Sequence, residues 1–177
     1  MIYLLAAVFT LTVFHFMYES TLAPSFRLQL RFELFRLRDD LRDLKSTRKD
    51  LDDKHFHYLQ DSINTLIANL ARFDAATLAR IEVEFQRDPE LRKRTEARCK
   101  VMNDCDVAEA RLIRRKCNRI GVKALAVNSG GWSIYILPGV FVLVGLSEFK
   151  RRIKAALAIS ESDFAKAARP DLAGSAI

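Results

Sequence analysis

Asp53, His57 and Asp61 stand four residues apart, which puts their side chains on one face of a helix, and His55 lies beside them. Imidazole and carboxylate both ligate divalent transition metals, so a metal site is the first chemistry to weigh. Two features count against it. His-x-His turns its rings to opposite sides of a helix, and no cysteine joins at a recognised metal spacing. A solvated polar stripe is expected instead, with no metal and no cofactor. An enzyme built on His55 and His57 is the weakest of the functional readings.

Cys99, Cys105 and Cys117 contain no Cys-x-x-Cys pair. On one straight helix Cys105 would point about 120° away from the other two. They read as reduced structural thiols. Three cysteines make no even disulfide framework, which argues against a small secreted scaffold. Gly130-Gly131 is not followed by Gly-Lys-Ser/Thr, so it is no phosphate loop. A nucleophile elbow and paired catalytic carboxylates are also missing. The expected function is non-enzymatic.

The densest chemistry is basic. Arg111, Arg114, Arg115, Lys116, Arg119 and Lys123 run up to an uncharged window. Near a bilayer each such cation attracts anionic lipid by about 1 kcal/mol. Nucleic acid would satisfy the same charges, but the run lacks the interleaved aromatics of a stacking platform. Membrane lipid is the expected partner and nucleic acid is not.

The elements that carry these residues are helical. The chain has 177 residues, a formal charge of +7, 50% hydrophobic and 29% charged residues, which excludes a disordered polymer. No Gly or Pro occurs from Ser25 to Asp88, and every Gly lies at Gly121 or later. So long a run without either breaker predicts an all-α fold.

Met1 to Tyr18 carries no charge and is dominated by Ile, Leu, Val and Phe. Eighteen residues reach roughly 27 Å as a helix, enough to cross a bilayer core. A cleaved signal would want a basic start and a small-x-small site, and both are poor here. Residues 1–19 are therefore expected to be a permanent transmembrane anchor. Arg27, Arg31, Arg36 and Arg38 follow it, which places the centre of the chain in the cytoplasm, and in the inner membrane if the cell is bacterial. A second uncharged window, Ala124 to Ser147, is broken by Gly130, Gly131, Pro138 and Gly139. Residues 124–149 are expected to be either a kinked span, which the uncharged length favours slightly, or a re-entrant hairpin. Residues 150–177 form a basic tail that starts as an amphipathic helix and then frays.

Residues 25–123 are expected to be a cytoplasmic coiled coil or bundle. Leu30, Leu34, Leu37, Leu41, Leu44 and Leu51 recur at 4, 3, 4, 3 and 7, and the 3-4 rhythm resumes at Phe56, Leu59, Ile63, Leu66, Leu70 and Phe73. The phase break between Leu51 and Phe56 means either a stutter in one helix or a tight link between two antiparallel ones. Leu28, Phe32 and Phe35 make a second apolar face opposite the seam, suited to lipid headgroups or a partner helix. Asp74 and Asp88-Pro89 are helix starts. From Pro89 one helix is expected to reach about Val122, with Ala97, Val101, Cys105, Ala108 and Leu112 inward.

Two functions fit this layout. The first is a scaffold, tether or assembly factor that docks a protein partner or self-associates through the seam, the Phe32/Phe35 face and the basic limb. The second is a membrane-active effector that oligomerises so that its Gly/Pro-broken segments form a pore or permeability defect.

Overall fold

A computed structural model describes residues 1–130 and 146–168. Every regular element among them is helical. In order these are α1 (Ile2–Met17), a π-helical turn (Tyr18–Leu22), α2 (Ala23–Thr47), α3 (Asp53–Asn69), a short 3-10 turn (Leu70–Arg72), α4 (Ala75–Arg87), α5 (Pro89–Asn103), α6 (Ala108–Asn128), α7 (Leu146–Ala158) and α8 (Glu161–Ala168).

α1, the π turn and α2 form one unbroken helix, Ile2–Thr47, the one described helix long and apolar enough to cross a membrane. Its two halves behave oppositely. α1 contributes no buried residue, whereas α2 buries Leu30, Leu34, Leu37 and Leu41. Phe26 to Leu34 are helical throughout.

α2 packs most extensively on α6 and next on α3. Its polar contacts give the direction of α6. Arg48 at the end of α2 reaches Glu109 (3.4 Å) at the start of α6, Lys123 meets Glu33 (3.2 Å), and Arg27 donates to Asn128 (2.8 Å). The two helices are therefore antiparallel. α3 also returns along α2. Residues 48–52 make a tight link, so the phase break at Leu51 is a turn between two helices. Lys45 closes that link, binding the Leu51 carbonyl (2.6 Å) and the Asp53 carboxylate (2.6 Å).

The starts of α4 and α5 are where the sequence puts them. Asp74 accepts from the Thr77 amide at 2.7 Å, and Asp88 accepts from the Glu90 and Leu91 amides at 3.0 Å, ahead of Pro89. The single long helix expected after Pro89 is instead two. α5 ends at Asn103, and α6 restarts at Ala108 with its phase reset. The expected inward stripe fails with it: Ala97, Ala108 and Leu112 are exposed, Val101 is half-buried and only Cys105 is buried. The residues that enter the core are Leu91 and Met102 on α5, and Ile113, Cys117, Ile120, Ala124 and Leu125 on α6.

The C-terminal limb begins helical, as expected, and stays so to Ala168; the part expected to fray, around Arg169-Pro170, lies outside the described residues. Ile153, Ala156, Leu157 and Phe164 belong to the same core as α2–α6. The Phe164 ring stacks on Phe73, with centroids 6.2 Å apart. Gly121 lets α7 approach α6 closely, since a Cβ there would meet Leu157 Cδ1 at 3.0 Å.

Candidate functional site

Three regions carry the residues that the sequence singles out. The first is the junction of anchor and bundle. α6 ends at Asn128, and its side chain ties three elements together. Its Nδ2 donates to the carbonyls of Leu70 (2.6 Å) and Phe73 (3.2 Å), and its Oδ1 accepts from Arg27 Nε (2.8 Å). Nine residues before Arg27 on the same helix, Tyr18 donates its hydroxyl to the Val127 carbonyl at 3.1 Å. Gly130 follows in the left-handed region (φ 71°), the usual conformation of a residue just past a helix end. A side chain there would press on the Glu19 carboxylate, because a Cβ would lie 2.9 Å from Oε1. Gly130, read as a membrane hinge, is thus a buried helix stop against the base of α1. Gly131, Pro138 and Gly139 lie outside the described residues.

Asn128 looks like a loop polar residue in the sequence, and nothing in its neighbourhood signals a clamp. Replacing it with alanine takes the side-chain donor from the Leu70 and Phe73 carbonyls, both on buried residues, and leaves Leu70 only the long bond from the Phe73 amide (3.5 Å). Urea melts of Asn128→Ala should show a loss of about 1–3 kcal/mol, the usual cost of stranding buried polar groups.

The second region is α2 itself. Leu30, Leu34, Leu37, Leu41 and Leu51 are buried, as are Leu59, Ile63, Leu66, Leu70 and Phe73, while Leu44 and Phe56 are partly buried against them. Both seams are filled by the chain's own helices, so an outward docking role for them is corrected to a core role. The opposite face differs. Leu28 is 55% and Phe32 57% exposed, and Phe35 is half-covered by the Arg38 guanidinium, 5.2 Å from its ring centre.

The third region is basic. α6 strings Arg111 to Lys123 along its axis, with Lys123 towards the Asn128 end and Arg111 near the far end. Arg111, Arg115, Lys116, Arg119 and Lys123 are exposed, and Arg114 is half-buried. Arg114 turns into a cleft of about 680 Å³ between α4, α5, α6 and α7, where it meets Lys100, Lys150 and Lys154.

The His/Asp stripe is not a ligand set. Asp53 is held by Lys45, whose hydrogen bond and charge keep its carboxyl below the ordinary range. Asp61 is held by Arg98 at 3.0 Å, with the same guanidinium 4.8 Å over the Tyr58 ring. His55 Nδ1 sits 3.3 Å from Asp52. No group of three His, Cys, Asp or Glu side chains able to hold a metal lies among the described residues. The three cysteines are free thiols, with Cys105 and Cys117 buried. Because the helix breaks at Asn103, Cys105 sits on the link between α5 and α6 and not on a shared straight helix.

Compared with known proteins, the chain matches no family model, no curated protein and no solved structure.

Proposed function

We propose that this chain is a membrane tether and scaffold, not an enzyme: α1 holds it in a bilayer and α2 carries the bundle directly on the same helix. One observation carries the reading. The helix Ile2–Thr47 changes from an apolar stretch with no buried side chain to a core-forming one across the π turn Tyr18–Leu22. Exposed Ile, Leu, Val and Phe on every side of α1 have no partner among the described residues, and hydrocarbon is the solvent that suits them.

Arg27, Arg31, Arg36 and Arg38 follow the anchor, and cations favour the cytoplasmic side. On this reading the bundle lies in the cytoplasm, and α7 and α8, which share its core, lie there with it. The second membrane segment expected at 124–149 falls largely on 131–145, outside the described residues.

The scaffold contact falls to Leu28 and Phe32, the two most exposed of the large apolar side chains on α2. Anchoring favours self-association here. Two copies in one bilayer present this face at the same height and in parallel, so a symmetric pair needs no further alignment. In washed membranes at high pH the intact chain is expected to stay in the pellet. A Leu28→Cys variant is expected to form a disulfide-linked pair there, whereas Asp39→Cys, on an exposed polar stretch, is not. Release of the intact chain refutes the tether. Retention without the Leu28 crosslink refutes self-association through this face.

A further inference from the structure

We infer that the cleft between α4, α5, α6 and α7 is a binding site for a phosphoryl group, with Arg114 as its floor. The cleft is lined by seven Lys and Arg side chains against three acidic ones, a surplus of four positive charges. The cations converge from separate helices: Lys100 from α5, Arg114 from α6, Lys150 and Lys154 from α7. A solvated stripe on one helix would not converge in this way. Part of the acidic complement is already engaged, since Glu96 binds Arg92 at 2.9 Å and Glu82 lies 3.9 Å from Arg152.

Arg114 makes the argument specific. It is half-buried, yet no carboxylate among the described residues comes within 4.0 Å of its guanidinium. The groups beside it that could carry a negative charge are thiols: Cys99, Cys105 and Cys117. The Cys99 and Cys117 thiols cannot serve as counter-ions at neutral pH. Burial raises the Cys99 thiol, and it pushes Cys117 up to about 12, so both stay protonated. Cys99 uses its proton on the Lys154 carbonyl (3.6 Å). Burial accordingly works against the Arg114 charge. A buried cation without a counter-charge is costly, and a bound anion removes that cost. A guanidinium fork flanked by lysines fits the oxygens of a phosphate ester, and the volume suits a small ligand more than a polymer.

The same phosphoryl chemistry occurs in a free phosphate compound and in a lipid headgroup. Arg114 is 14 residues from Asn128 along α6, roughly 21 Å from the membrane end of the bundle. That distance favours a free compound.

The test uses the full-length protein in phosphatidylcholine nanodiscs at about 150 mM salt, where diffuse surface attraction is screened. One arm titrates inorganic phosphate and follows binding by calorimetry. The other replaces part of the lipid with phosphatidate. Arg114→Met keeps the buried stem without the charge, Lys154→Gln removes an exposed partner in case the first variant folds poorly, and Lys49→Gln removes an equal charge from an exposed position outside both the cleft and the basic run of α6. Binding should fall at least tenfold in Arg114→Met and several-fold in Lys154→Gln, and stay within twofold of the parent in Lys49→Gln. Phosphate-dependent binding with this pattern identifies a free compound. The pattern with phosphatidate alone identifies a headgroup. No binding in either arm, or equal losses in all three variants, overturns the site.

Discussion

Leu34→Asp is expected to abolish the folded bundle. Leu34 is 0% exposed, in the middle of the α2 seam and between the two helices that α2 packs on most. Truncation to alanine at such a site costs about 2–5 kcal/mol through lost burial and the cavity left behind. A carboxylate adds the cost of burying an unpaired charge. Total stability of a domain is about 5–15 kcal/mol, so the sum reaches or exceeds it. Circular dichroism and urea titration in detergent should show loss of cooperative unfolding for Leu34→Asp and a weakened but cooperative transition for Leu34→Ala. Phe32→Asp, two residues away and 57% exposed, is the control. As a solvent-facing change it should move stability by no more than about 0.5 kcal/mol. Similar losses at both positions would mean that α2 is not seated in the bundle by its leucine face.

Deleting residues 2–17 is expected to move the whole population of the protein from the membrane pellet to the supernatant while leaving the bundle folded. The deletion removes no buried side chain, because α1 has none. It also stops short of Tyr18 and Arg27, so their bonds to Val127 and Asn128 survive. The released protein should keep its far-ultraviolet helical signal apart from that of the missing turns, and should unfold cooperatively. A truncated chain that still sediments with membranes would transfer the anchoring role to the rest of the chain. An aggregated, non-cooperative product would mean that α1 supports the bundle after all.

Local and periodic features were legible in the residues. The breaker-free run from Ser25 to Asp88 gave helices. Asp74 and Asp88-Pro89 marked helix starts because capping is a contact between near neighbours. The 3-4 spacing of Leu30 to Leu41 and of Leu59 to Leu70 named the buried face of each helix. The uncharged opening of the chain gave the one described helix fit to cross a membrane.

What the spacing left open was the partner of each face. The same heptads serve a dimer seam and an intramolecular bundle, and only the return of α3 and α6 along α2 makes the leucines a private core. The stop at Asn103 was invisible because Asn, Asp and Cys at 103–105 carry no strong breaker, so the stripe through Leu112 was projected in the wrong phase. Asn128, with three bonds to residues 55 to 101 positions away, and the convergence of Arg114 with Lys100 and Lys154 join points far apart in the chain. A single sequence encodes periodicity and caps, which act over a few residues. Which faces meet is decided by the free energy of burying them together, and that is a property of the assembled helices.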